Sequence, residues 1–175
     1  FLGSPPAAPV FMFLMGASTA FSTRATLGKG IRRGVALFVL GYALNVVRGA
    51  LPALLGFWLG IVTPEDLDGE TPLRMFLYID ILQFAGIALI ALALCRRFLP
   101  KPWHWLALAL IVTLVSPLLW GKTGTWPPLH WLLNHFWGVD GANIAFPAFP
   151  WLCYPLAGMA YGRWFAATDD RARFL

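Results

Sequence analysis

The chain has 175 residues, of which 59% are apolar and only 12% charged, with nine tryptophans and a formal net charge of +5. Its mean hydropathy is +0.69, and a soluble domain of this length carries about twice that charged fraction, so composition excludes an ordinary soluble domain. The basic balance does not imply nucleic acid, because Lys and Arg fall in short clusters between apolar runs, the pattern that sets membrane topology.

The predicted architecture is all-α: a single integral-membrane domain over residues 1–175, a polytopic helix bundle with five spanning segments. The chain opens on Phe1 and runs at once into a Pro-rich approach with no basic n-region, which reads as a fragment lacking its natural N-terminus. The first span, Ala8–Ser22, is short enough to be re-entrant. It contains FMFLMGASTAFSTR, where Gly16 and Ala20 are four apart, with Ser18 and Ser22 nearby, a spacing that suits close helix packing. TRATLGKGIRR follows, supplying Arg24, Lys29, Arg32 and Arg33. The second span, Ile31–Val47, carries Gly34 and Gly41 and approaches its end with Asn45, followed by Arg48. Beyond it, ALPALLGFWLGIV (Ala50–Val62) is broken by Pro52, Gly56 and Gly60, so it is expected to lie at or dip into the outer interface.

The third span, Leu73–Cys95, contains LYIDILQFAG, an acid and an amide three residues apart in an apolar run. The fourth is Trp103–Trp120 and the fifth Phe149–Phe165, separated by a Trp-rich outer loop with one short helix at Leu129–Trp137. Arg24, Lys29, Arg32, Arg33, Arg96, Arg97, Lys101, Arg163, Arg171 and Arg173 fall on one side; only Arg48, Arg74 and Lys122 fall on the other, with most of the acids. This alternation works only if all five segments cross, and it predicts a bacterial-type inner-membrane protein with Phe1 outside and the C-terminus cytoplasmic.

Asp80 would lie about 10 Å of helix below the outer end of its span, with Gln83 on the same face. Asn45 and Arg48 repeat that spacing on the antiparallel second span. A charge in the bilayer costs at least about 2.5 kcal/mol and faces a partner or a wet cavity. The expectation is therefore that Arg48 and Asp80 neutralise each other beside a polar cavity lined by Asn45 and Gln83. The same residues also read as interhelical glue, or as part of a proton or ion relay. Metal is not expected: His130 and His135 are five apart rather than four, with no acid or cysteine set at ligand spacing, and they read as interfacial side chains. His104, between Trp103 and Trp105, reads as an anchor. Cys95 and Cys153 fall near opposite membrane faces, too far apart to bridge.

Four stretches, APVFMFLMGASTAFSTR, GIRRGVALFVLGYALNVVRG, IDILQFAGIAL and FPAFPWLCYPLAGMAYGR, resemble in order the membrane core of the heparan-alpha-glucosaminide N-acetyltransferase-like proteins. The resemblance covers most of Ala8 to Arg163 and weakens in the two outer loops. It implies an enzyme that takes an acyl group, acetyl or another, from cytoplasmic acyl-CoA and delivers it to a sugar or other small polar acceptor on the far side. The family's catalytic histidine lies upstream of the segment matched by Ala8–Ser22, so the role passes to none of His104, His130 or His135. Asn45, Arg48, Asp80 and Gln83 would then orient the acceptor, and Arg24, Lys29, Arg32 and Arg33 would hold CoA phosphates, although positive-inside topology accounts for those cations as well. The expected partners are the lipid bilayer and the acceptor, with a homodimer open. Two other classes compete: a polar-solute or proton-coupled carrier, for which neither inverted repeats nor paired broken helices are evident, and a catalytically inert membrane scaffold.

Overall fold

The computed structural model describes residues 7–22, 26–122, 126–138 and 144–168. Its elements are helical, and the extended backbone that pairs is an isolated bridge between Ile79 and Ile144. In chain order they are α1 (Ala7–Phe21), α2 (Leu27–Asn45), α3 (Leu51–Trp58), α4 (Pro72–Leu77), α5 (Ile81–Cys95), α6 (Pro102–Leu119), α7 (Pro127–Trp137), α8 (Ala148–Trp151) and α9 (Cys153–Ala167). Their starts follow local chemistry. Thr26 caps α2 by accepting from the Lys29 amide, Thr71 caps α4 by accepting from Arg74, and prolines open α4, α6 and α7, where the missing N–H costs nothing.

Two pairings organise the bundle: α1 lies along α9, which also packs on α6, and α2 lies along α5. Both principal pairings are backbone-close. A methyl group on Gly16 would fall onto the Pro155 carbonyl and one on Gly158 onto that of Phe13, while Gly34 and Gly86 each face the other's carbonyl. The small residues at Gly16 and Gly34 therefore pack as their spacing predicts. Met12, Phe84, Leu92, Trp105, Leu156 and Met159 form the core where α1, α5, α6 and α9 meet.

Two helices among the described residues are long and apolar enough to cross a membrane: the continuous run Leu27–Trp58 and Pro102–Leu119. Only 17% and 22% of their apolar windows are buried. Their side chains thus face outward, as with Val39, Val47, Leu114 and Leu118, which suits lipid contact better than a soluble core. The expected count of five spans is not reproduced on length alone, because α1, α5 and α9 have 15 residues each, about 22 Å of helix against a hydrocarbon core of about 30 Å.

Two segments differ locally from the boundaries expected above. Ala50–Val62 does not separate from the second span: α2 passes through a π-turn at Val46–Ala50 straight into α3. Pro52 is tolerated there because it sits in the first turn of α3. Leu73–Cys95 is not one helix. It stops at Leu77, runs extended through Tyr78, Ile79 and Asp80, and restarts at Ile81.

Candidate functional site

The break at Tyr78–Asp80 exists because polar side chains replace the helical bonds it gives up. Asn45 on α2 donates through Nδ2 to the carbonyls of Phe76 at 2.9 Å and Tyr78 at 2.6 Å. Gln83 Nε2 reaches Tyr78 O at 3.3 Å, and the Ala145 amide donates to Ile79 O at 3.0 Å. Asp80 is the N-cap of α5: its Oδ1 accepts from the Ile81 amide at 2.7 Å, and a capping box joins it to Gln83, whose Oε1 accepts from the Asp80 amide at 3.2 Å while the Asp80 side chain takes the Gln83 amide. Asp80 and Gln83 are thus the hinge of a broken helix rather than two residues on one helical face. Gln83 is fully buried, with Gly41 pressed against its amide so closely that an added methyl would lie 2.7 Å from Cδ.

Around this hinge is a cavity of about 410 Å³ whose lining includes Asn45, Arg48, Glu70, Arg74, Tyr78 and Asp80. Three of the four residues expected at a polar pocket, Asn45, Arg48 and Asp80, therefore meet at one; Gln83 supports it from behind. The expected Arg48–Asp80 neutralisation is not found: the ion pair within 4.0 Å among the described residues is Arg74–Glu70 at 3.7 Å. Arg48 falls inside the π-turn, and that turn removes the regular i, i+3 register with Asn45 on which the pairing rested.

At the other end of the α2–α5 pair, a larger cavity of about 700 Å³ is bounded by α1, α2 and α5. Lys29, Arg33, Arg96 and Arg97 line it, with Ser18, Thr19, Ser22 and Thr26 adding hydroxyls. Of the cations expected to hold phosphates, Lys29 and Arg33 are there, Arg32 is exposed and outside the lining, and Arg24 lies outside the described residues. Arg96 and Arg97, counted in the sequence only as topology signal, complete the cluster. Arg96 also holds the end of α1, donating to Thr19 O at 3.4 Å and to Ser22 O at 3.2 Å, where a helix leaves carbonyls unpaired.

The histidines separate. His104 Nδ1 accepts from the Lys101 amide at 3.3 Å at the start of α6, beside Trp103. His135 is 2% exposed, which its reading as an interfacial side chain missed. Its Nδ1 lies 2.9 Å from Trp131 O and its Nε2 2.7 Å from the Tyr42 hydroxyl. A carbonyl can only accept, so Nδ1 carries the proton and Tyr42 donates to Nε2. Burial holds the imidazole below its usual range, partly opposed by the bond to Trp131, so it is neutral near pH 7. This pair docks α7 on α2. The only sequence hint was that α7 places Trp131 and His135 four apart, on one helical face.

The family model described as heparan-alpha-glucosaminide N-acetyltransferase, catalytic, matches residues 3–175. The chain belongs to this family, as the four ordered motifs implied. No curated protein and no solved structure matches it.

Proposed function

Starting from that family membership, we propose that this chain forms a membrane-embedded core that moves an acetyl group from acetyl-CoA to a small polar acceptor, the two being received at opposite ends of the α2–α5 pair. The observation that carries the reading is the pair of unlike cavities. The basic one offers four cations to the phosphates of CoA, and the one at the helix break offers acids, guanidiniums and the Asn45 amide to an acceptor. Asp80 and Arg96 are separated by α5, about 24 Å of helix, which is the separation between the two ends at which acceptor and CoA phosphates would be received.

The reaction breaks the thioester C–S bond and forms a C–N or C–O bond to the acceptor; the acceptor's proton leaves with CoA as its thiol. Asp80 would hold the acceptor, because one of its oxygens is anchored by the Ile81 amide and cannot swing away. His135 is a poor candidate for the base, since both ring nitrogens are engaged by Trp131 and Tyr42. The broken helix also suits a carrier, in which a half-helix terminus meets a polar solute near mid-membrane.

Membranes containing the full-length protein, supplied with radiolabelled acetyl-CoA and pooled amino sugars, should yield labelled product. Arg33→Gln with Arg97→Gln should raise the KM for acetyl-CoA roughly tenfold while kcat changes little, as expected for lost charge-assisted bonds. Solute uptake without labelled product would favour the carrier, and a loss of activity that only follows the amount of folded protein would remove the basic cavity from the mechanism.

A further inference from the structure

The cavity at the helix break holds opposite charges that do not satisfy each other. Arg74 and Glu70 are paired. Among the described residues Arg48, on the π-turn, has no carboxylate within 4.0 Å, and Asp80, at the head of α5, has no cation within that distance, yet both line the same space. The Asp80 carboxylate uses Oδ1 on the Ile81 amide and also meets the Gln83 amide in the capping box, and a carboxylate has acceptor capacity beyond these two contacts. Asn45 spends both amide hydrogens on Phe76 O and Tyr78 O, which leaves its Oδ1 as an acceptor. Besides the Glu70–Arg74 pair, the lining thus combines accepting groups on Asp80 and Asn45 with a donating, positive group on Arg48.

A neutral sugar would leave exposed Arg48 and half-buried Asp80 with water but no ionic partner. A simple amine would meet Asp80 but also Arg48, and a simple acid would meet Arg48 but also Asp80. We propose that this cavity selects a small zwitterion, a molecule carrying a primary amine and an anionic group, with the amine at Asp80 and Asn45 and the anion at Arg48. At about 410 Å³ the space is in the range of small-molecule sites. The proposal rests on the acceptor reading of this cavity and narrows it: Arg48 is a specificity residue that recognises the part of the acceptor that does not react. The same charge pattern occurs on an aminophospholipid headgroup, so the source of the ligand is part of the test.

The test is calorimetric titration of the full-length protein in phosphatidylcholine nanodiscs, whose headgroup has no primary amine. Three probes are compared: 2-amino-2-deoxyglucuronate, glucosamine and glucuronate. The zwitterion should bind about tenfold tighter than either single-charge sugar. Arg48→Gln should reduce it to the level of glucosamine and leave glucosamine itself within about twofold. Asp80→Asn, which keeps a competent helix cap, should reduce it to the level of glucuronate. Equal binding of the three, no binding of any, or equal loss of all three in both variants would overturn the proposal. Repeating the titration in phosphatidylethanolamine nanodiscs identifies the source: unchanged affinity supports a soluble ligand, and competition supports the lipid headgroup with the same charge assignment. Labelled-product formation is read separately. Charge-dependent binding without acetylation would remove the transfer reading alone, and acetylation without charge preference would remove the zwitterion alone.

Discussion

Replacing Asn45 isolates what the broken helix requires. Asn45→Ala removes two hydrogen bonds, to Phe76 O at 2.9 Å and Tyr78 O at 2.6 Å, each with a net value of about 0.5–1.5 kcal/mol. Tyr78 O retains Gln83, and Asn45 borders the cavity, so water can reach part of what is lost. The expected cost is therefore in the lower half of that sum, about 1–2 kcal/mol, or a fall in Tm of about 2–8 °C for a chain of this length. Asn45→Asp is nearly the same shape but has only acceptors. It would set a carboxylate against two carbonyls, so it should cost more than alanine although it removes fewer atoms. Thermal unfolding of the solubilised full-length protein, followed by tryptophan fluorescence, ranks the three proteins. An aspartate variant within about 1 °C of wild type, or milder than the alanine variant, would show that Asn45 is not the donor that holds the break open.

Gly41→Ala should drive the Gln83 amide off the capping box and lower stability by about 1–3 kcal/mol, the cost of overpacking; Gly28→Ala, which has open space around it, serves as the neutral control in the same melt. Because Arg48 and Asp80 do not pair, the stability changes of Arg48→Ala and Asp80→Ala should add within about 0.5 kcal/mol, and a double variant markedly milder than the sum would restore the ion pair. His135 has a folded pKa below its unfolded one, so the native state binds fewer protons in that interval. Its stabilisation is present above about pH 6.5 and is lost as the pH falls toward the folded value, by at most about 1.4 kcal/mol per pH unit. Melts between pH 7.5 and 5.5 should therefore show a slope that His135→Phe reduces; an unchanged slope would place the titration elsewhere.

The helical class, the family and the polar residues at one end of the α2–α5 pair were all legible in the sequence, because each depends on composition or on order along the chain. Apolar runs of about the right length define helices whatever they pack against, and Gly16, Gly34 and Gly41 mark close approach simply by lacking a side chain. What only the tertiary structure decided is the job each polar group holds. LYIDILQFAG reads as continuous helix because an apolar run tolerates one. Asp80 and Gln83, three apart before an apolar run, are a local signature of a helix start, but the break also needs Asn45, 31 residues upstream of Phe76, to supply donors to the freed backbone, and no local pattern announces a partner at that distance. For the same reason Arg96 and Arg97 read as topology until α1 and α2 close a cavity around them, and His135 reads as interfacial until Tyr42, 93 residues away in sequence, takes its second nitrogen. Burial and hydrogen-bond partnership are properties of pairs of segments, so they exist only once the segments have met.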